Sequence, residues 1–109
     1  MEHFFSGLKE AQETLQSVLE DKEFIRSFNG ACKALTETFQ NNHRVFSCGN
    51  GGSMCDSMHF AEELTGRFRK DRAPLPALSI SDPGHISCVS NDFGYDYIFS
   101  RYIEGWGSK

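Results

Sequence analysis

The sequence has no C-x-x-C pair, no long apolar run and no basic leader. Its four cysteines are spaced like neither a zinc knuckle nor the disulfide framework of a small secreted domain: Cys32, Cys48, Cys55 and Cys88. We therefore expect reduced thiols. No window approaches the roughly 18 apolar residues of a membrane span, and the first residues lack the basic and apolar regions of a signal peptide. These absences predict a cytoplasmic protein with no membrane partner.

The sequence also lacks an excess of positive charge. Its 109 residues include 11 Lys and Arg against 15 Asp and Glu, which gives a net charge of −4. A nucleic-acid-binding protein needs a basic face, so we expect no nucleic-acid partner. A chain of this length forms one domain at most.

The first 42 residues predict two amphipathic helices. Apolar residues recur in a 4-3-4-3 rhythm from Phe4 to Val18, and a second, broader stripe runs from Phe24 to Phe39. Asp21 lies between them and is expected to begin the second helix. We expect the second stripe to be buried. The pattern alone leaves open whether these helices pack within the chain or against another copy.

Residues 44–68 are the stretch on which the functional interpretation depends. Val45–Cys48 is typical of a short buried strand, and Gly49–Gly52 of a tight turn that needs the backbone freedom of glycine. Ser53 is predicted to be the N-cap of a helix, with Asp56 in the capping-box position. A strand, a turn and a helix start in this order place free N–H groups at the carboxyl edge of a sheet, which favours an anionic or polyhydroxylic ligand.

His59 and Glu63 are four residues apart on the predicted helix and therefore share a face. An imidazole and a carboxylate so placed can hold one divalent metal ion, or act as acid and base on one substrate. A solvated surface pair has the same spacing, and the glycine turn matches neither the dinucleotide nor the Walker fingerprint. It is the combination of turn and pair that indicates a site.

The remaining sequence predicts an α/β fold. Ala77–Ser81 reads as a second strand, and a strand–helix–strand unit of this length implies a right-handed parallel crossover. Asp82 and Pro83 are expected to begin another helix, which Asn91–Gly94 would end. A last helical stripe is predicted to be core and consists of Tyr95, Ile98, Phe99, Tyr102 and Ile103.

The central stretch resembles the signature of bacterial phosphoheptose isomerases, which belong to the sugar-isomerase (SIS) family. Ser47–Ser53, Asp56 and His59–Arg67 carry this resemblance. Three further segments fit in the same order: Ile80–Asp82, His85–Val89 and Asn91–Gly94. The resemblance runs from residue 1 to about residue 105 and matches the N-terminal half of the family.

The resemblance implies the N-terminal part of a flavodoxin-like SIS domain, with three layers around a parallel sheet and two long helices in front. Residues 1–42 would be a helical oligomerisation segment and residues 43–109 the first half of the SIS domain. The family forms homotetramers through its N-terminal helices, so the resemblance implies a homotetramer. The resemblance also implies a third strand and a phosphate loop beyond residue 109, so we expect the C-terminal half to be absent from this chain.

The resemblance also implies a reaction, the conversion of sedoheptulose 7-phosphate to D-glycero-D-manno-heptose 7-phosphate through an enediol, toward the heptose of the lipopolysaccharide core. Glu63 would be the general base, and His59 with Glu63 would supply half the ligands of one zinc ion. The remaining ligands would come from the absent half. The implied substrate-binding residues are Asn50, Gly51, Gly52, Ser53, Glu63, Arg67, Asn91 and Asp92.

Several alternatives stay open at this point. Arg67 has an equal interpretation as a cation that the dipole favours at a helix C-terminus, and Asn91–Gly94 is also ordinary turn chemistry. A base and a firm metal ligand are competing roles for Glu63. The chain is expected to be inactive alone. Non-catalytic relatives bind sugar phosphates or a replication initiator, but the resemblance implies that the latter lack a glutamate at position 63.

Overall fold

The computed structural model describes residues 1–107. It contains two compact units, the first covering residues 1–37 and the second beginning at Thr38. The segment that we predict as the first half of a SIS domain, 43–109, extends to residues 108 and 109, which lie outside the described part. The segment boundary at residue 42 stays a prediction.

The first 40 residues form two helices, α1 (Glu2–Glu20) and α2 (Lys22–Gln40). Asp21 separates them as predicted. Its Oδ1 accepts hydrogen bonds from the backbone N–H groups of Glu23 at 2.9 Å and Phe24 at 3.0 Å, which is the bonding of an N-cap residue. A carboxylate at this point satisfies two of the backbone donors that every helix start leaves without partners.

The apolar stripes of these helices are exposed in the chain by itself. No residue of α1 or α2 is buried, and the side chains of Phe4, Leu15 and Phe28 are each about 60% exposed or more. The prediction of a buried second stripe is therefore wrong for the described chain, because Leu35 and Phe39 are only half-buried and the other large apolar side chains of α2 are 43 to 59% exposed. Leaving such surface in water is unfavourable by about 25 cal/mol per Å².

The sheet is parallel, as the crossover rule predicts. Strand β1 (Val45–Ser47) pairs with β2 (Ala77–Ser79) in a register that places Val45 opposite Ala77 and Ser47 opposite Ser79. Helix α3 (Gly52–Thr65) connects them. Both strands are shorter than predicted, and β1 is half-buried where a buried strand was expected, because the described sheet has only two strands. The fold class is α/β, as predicted.

The rest of the second unit is helical: α4 (Pro83–Asp92), a short 3₁₀ helix (Tyr95–Tyr97) and α5 (Ile98–Trp106). Asp82 caps α4 as predicted, since its Oδ2 accepts the backbone N–H of His85 at 2.6 Å. The His85 ring in turn lies 2.8 Å from the main-chain oxygen of Ile98 through Nε2. This contact joins α4 to α5.

A small core lies between the sheet and these helices. Its buried apolar residues come from α3, from β2 and the residue that follows it, and from α4 and α5: Ala61, Ala77, Ile80, Val89 and Ile98. The predicted last stripe is only partly core. Ile98 is buried, but Tyr95 and Ile103 are exposed, because α5 turns only one edge toward the core. Tyr95 has a polar contact, described below.

Candidate functional site

The turn between β1 and α3 depends on two glycines. Gly51 has a φ of 57°, in the region that glycine adopts without strain. At Gly49 the constraint is space, since a Cβ there would lie 2.4 Å from the main-chain oxygen of Ser53. Gly51 is the N-cap and α3 begins at Gly52. The predicted capping role of Ser53 is wrong, because Ser53 already lies inside the helix and its side chain makes no capping bond.

The turn offers fewer free donors than predicted. The Ser53 N–H donates to the main-chain oxygen of Asn50 at 3.1 Å, and the Met54 N–H to that of Gly51 at 3.0 Å. Among residues 1–107, the N–H groups of Gly51 and Gly52 have no backbone acceptor. These two donors at a helix N-terminus remain for an anionic or hydroxyl oxygen.

Serine hydroxyls attach α3 to the carboxyl ends of both strands. Ser47, the last residue of β1, donates through Oγ to the main-chain oxygen of Ser57 at 2.8 Å. The buried Ser57 hydroxyl donates to the main-chain oxygen of Met54 at 2.9 Å and lies 2.7 Å from the hydroxyl of Ser79, the last residue of β2. These contacts fix the height of α3 above the sheet.

The predicted pair on α3 is formed. His59 Nε2 lies 3.1 Å from Glu63 Oε1, with the histidine side chain 71% exposed and the glutamate side chain 32%. His59, Glu62 and Glu63 each offer one atom that can bind a metal ion, and these three atoms lie within 4.8 Å of one another. This set of one nitrogen and two carboxylates is chemically suited to a divalent ion such as zinc.

A shallow cavity of about 350 Å³ lies beside this pair. Its lining combines titratable groups with two aromatic rings: Asp56, His59, Phe60, Glu63 and Phe68. An open cavity with convergent polar groups and apolar walls is typical of a small-molecule site. It gives access to the exposed side of Glu63.

Asn91 and Asp92 lie at the last turn of α4 and interact with each other. Asn91 Nδ2 donates to Asp92 Oδ1 at 3.0 Å, and the Cys88 thiol donates to Asp92 Oδ2 at 3.4 Å. The donors, first that of Asn91, hold the pKa of the Asp92 carboxyl below its ordinary value. The same carboxylate raises the pKa of the Cys88 thiol, because it accepts the S–H and repels a thiolate.

Tyr95, which the sequence pattern assigned to the core, contacts the glycine turn through its hydroxyl. The Tyr95 hydroxyl donates to Asn50 Oδ1 at 2.6 Å. Tyr95 follows Asp92 by three residues, so this bond brings the end of α4 and the turn into one neighbourhood. An apolar stripe pattern could not distinguish an inward tyrosine from one whose hydroxyl reaches a loop.

Arg67 makes no hydrogen bond or ion pair with any residue in the described range 1–107 and lies beyond the end of α3. A different arginine binds that helix end. Arg72 donates to the main-chain oxygens of Glu63 at 2.6 Å and Leu64 at 2.8 Å. Arg72, returning from the following loop, is therefore the cation that hydrogen-bonds to the end of α3, and both interpretations of Arg67 stay predictions. No sequence signal singled out Arg72.

A larger cavity of about 570 Å³ in the second unit contains none of the predicted site residues. Its lining has two basic side chains and no carboxylate, and therefore no acid–base pair for isomerisation: Thr38, Asn42, His43, Arg44, Phe46, Ile103, Trp106 and Gly107. The chemistry favours the smaller cavity beside Glu63. Among residues 1–107, no helix combines the length and the apolar character needed to cross a bilayer.

Comparison with known families identifies the SIS domain, whose model matches residues 8–105. Curated relatives of the chain are named phosphoheptose isomerase. That of Pectobacterium atrosepticum is 59% identical over 104 residues, which are 95% of this chain and 54% of the relative. That of Sodalis glossinidius is 57% identical over 102 residues, which are 94% of this chain and 53% of the relative.

Two solved structures share the fold. The phosphoheptose isomerase of Neisseria gonorrhoeae matches with a TM-score of 0.85 at 26% identity, over 97% of this chain and 54% of that one. The phosphoheptose isomerase of Francisella tularensis matches with a TM-score of 0.69 at 29% identity, over 94% of this chain and 57% of that one. The chain thus spans about half the length of the relatives that it matches. The predicted resemblance is confirmed.

Proposed function

The chain belongs to the SIS domain family, and from that premise we propose that it provides part of the active site of a phosphoheptose isomerase. The observation that carries this proposal is the contact between His59 and Glu63, on the helix that starts at the glycine turn. A turn with free donors binds the substrate's oxygens, and the Glu63 carboxylate, about three turns along α3, handles its protons. The names of the relatives support the same activity.

The proposed reaction interconverts sedoheptulose 7-phosphate and D-glycero-D-manno-heptose 7-phosphate. Glu63 removes a proton from C1 of the ketose while the C2 carbonyl oxygen gains one, which gives an enediol. Glu63 then returns a proton to C2 while the C1 hydroxyl loses its own, which leaves the aldehyde at C1. Atoms and electrons balance without a redox partner. The rate depends on a base in reach of both carbons.

The contact with His59 suggests how Glu63 acts both as the base and as a metal ligand. Its Oε1 faces the imidazole at 3.1 Å, while Oε2 has no hydrogen bond within residues 1–107 and is available to the substrate. His59 and Glu63 would hold a zinc ion, whose positive charge stabilises the developing enolate. In the proposal its further ligands come from sequence outside this chain.

The proposal assigns the remaining substrate contacts to the glycine turn, the end of α4 and Arg67. The N–H groups of Gly51 and Gly52, with the side chains of Asn50 and Ser53, would bind substrate oxygens at the turn. Asn91 and Asp92 would bind hydroxyl groups from the end of α4, near the Tyr95 contact. Arg67, which lies exposed beyond α3, would contact a phosphate or hydroxyl oxygen.

We also propose that residues 1–42 form the contact between copies in a homo-oligomer, a homotetramer by the resemblance. The exposed large apolar side chains of α1 and α2 support this, because they stay 43 to 71% exposed in the described chain. Sedimentation velocity tests it: substitution of Phe4 and Leu8 by serine should dissociate the assembly, and a wild-type monomer would contradict the proposal. The proposed setting is cytoplasmic synthesis of lipopolysaccharide heptose.

The activity is tested by following sedoheptulose 7-phosphate turnover with added zinc, in a version of the protein that includes the C-terminal half of the family and in two matched variants of it. Glu63→Gln should abolish turnover, because an amide cannot accept the C1 proton. Glu104→Gln, which changes an exposed carboxylate of α5 outside both cavities, should retain it. Turnover that survives Glu63→Gln would refute the base assignment. A version with both halves that binds the sugar phosphate without converting it would favour a non-catalytic binding protein.

A further inference from the structure

The contact between Tyr95 and Asn50 joins parts of the chain that are far apart in sequence. The two residues are 45 positions apart, and the Tyr95 hydroxyl lies 2.6 Å from Asn50 Oδ1. The tyrosine side chain is 53% exposed, so burial of its ring does not account for where it lies. The polar contact with the glycine turn is the feature that distinguishes this residue.

The contact has a consequence for what Asn50 offers a ligand. A carboxamide presents one oxygen acceptor and one NH₂ donor, and rotation by half a turn exchanges them. With Oδ1 occupied by the tyrosine O–H, Nδ2 is directed elsewhere. The main-chain oxygen of Asn50 is also occupied, because it accepts the N–H of Ser53 at 3.1 Å. Both oxygens of Asn50 therefore accept hydrogen bonds from protein groups, and its side-chain NH₂ stays available to donate to a ligand.

We propose that Tyr95 is a positioning residue, whose hydroxyl holds the Asn50 carboxamide so that its NH₂ donates to an oxygen of the ligand in the glycine turn. The ligand class follows from this chemistry: a molecule that presents acceptor oxygens, such as a phosphate ester or a polyol carbonyl. The neighbouring free N–H groups of Gly51 and Gly52 are donors too, so these three groups all favour an acceptor oxygen. That the ligand is a sugar phosphate rests on the proposed function, whereas the orientation of the amide does not.

The first test needs no ligand. In Tyr95→Phe only the hydroxyl is removed, and NMR relaxation of the Asn50 side-chain NH₂ reports how firmly the carboxamide is held. We expect its order parameter to fall in this variant. Tyr97→Phe is the matched control, because Tyr97 lies in the same 3₁₀ helix, is equally exposed and makes no hydrogen bond through its hydroxyl within residues 1–107. An unchanged order parameter in Tyr95→Phe would overturn the proposal.

The second test measures binding of sedoheptulose 7-phosphate by chemical-shift titration. Loss of one hydrogen bond predicts about threefold to tenfold weaker binding in Tyr95→Phe, with no change in Tyr97→Phe. In an Asn50→Ala background, Tyr95→Phe should have no further effect, because there is no amide left to orient. An equal loss in both backgrounds would show a merely structural tyrosine and would overturn the proposal.

A further variant separates this proposal from the proposed function. Asn50→Asp keeps an acceptor for the Tyr95 hydroxyl but removes the NH₂ donor, so binding should be lost although the tyrosine contact persists. Binding retained in Asn50→Asp would contradict a donor role. If the wild-type chain binds no sugar phosphate, the proposed function fails, and the order parameter of the free chain still decides whether Tyr95 positions Asn50.

Discussion

Replacement of Arg72 by methionine should destabilise the end of α3, although Arg72 is exposed and distant in sequence from that helix. Its guanidinium donates to the main-chain oxygens of Glu63 and Leu64, and Nη1 is also 3.0 Å from the main-chain oxygen of Ala73. Methionine keeps much of the aliphatic stem and removes every donor. The acceptors belong to the helix end that otherwise leaves carbonyl groups without partners.

The magnitude follows from the number of contacts and their exposure. Hydrogen bonds from a charged donor contribute about 1.5 to 3 kcal/mol, and a cation at a helix C-terminus about 0.3 to 1 kcal/mol. Because water can replace the guanidinium at an exposed helix end, we expect a loss at or below the lower end of this range, about 1 to 2 kcal/mol in total. For a domain of this size, each kcal/mol lowers Tm by roughly 4 to 8 °C.

Urea unfolding followed by circular dichroism measures the loss, and hydrogen exchange locates it. The Leu75 N–H, which donates to the main-chain oxygen of Leu64 at 3.0 Å, should exchange faster in Arg72→Met. Arg67→Met is the control, since it removes the same charge five residues earlier from a side chain with no hydrogen bond in the described range. Equal losses in both variants would refute the argument and indicate a general effect of charge.

Two further predictions concern α4. Asp82→Ala should cost about 1 kcal/mol through loss of the N-cap, whereas Asp82→Asn keeps an acceptor for the His85 N–H and should cost far less; thermal unfolding compares them, and equal losses would contradict the capping role. Because Asp92 raises the pKa of the Cys88 thiol, alkylation of Cys88 should begin at higher pH than in Asp92→Asn, whose amide cannot repel a thiolate. Residue-resolved mass spectrometry after iodoacetamide treatment measures both curves; an unshifted midpoint would count against this contact.

Much of the fold was predictable because its signals are local. The apolar rhythm of α1, the cap at Asp82 and the strand–turn–helix order around Gly49 each depend on residues within a few positions of one another. The parallel pairing of β1 with β2 followed from the length of the connection alone. The predicted pair His59–Glu63 needed only the helical repeat.

The errors arose where a contact joins distant parts of the chain. The hydroxyl of Tyr95 reaches Asn50 and the guanidinium of Arg72 reaches the end of α3, and neither partner is marked by spacing. The capping rule predicted Ser53 as the N-cap of α3, but the helix begins one residue earlier, at Gly52. Gly51, with its positive φ, is the N-cap. The prediction that the α2 stripe is buried was wrong for another reason. A periodic pattern identifies an apolar face, but it does not show what covers that face.

The hydroxyl of Ser57 has two hydrogen-bonding neighbours but carries only one proton. It is placed to donate to the main-chain oxygen of Met54 and lies 2.7 Å from the hydroxyl of Ser79, where either oxygen can be the donor. Ser57→Ala would therefore leave the Ser79 hydroxyl without this partner at the end of β2, and Ser79→Ala would remove the side-chain hydrogen bond that joins Ser57 to that strand. The helix that carries His59 and Glu63 is thus held to the second strand by a bond between two serines that are 22 residues apart in the sequence.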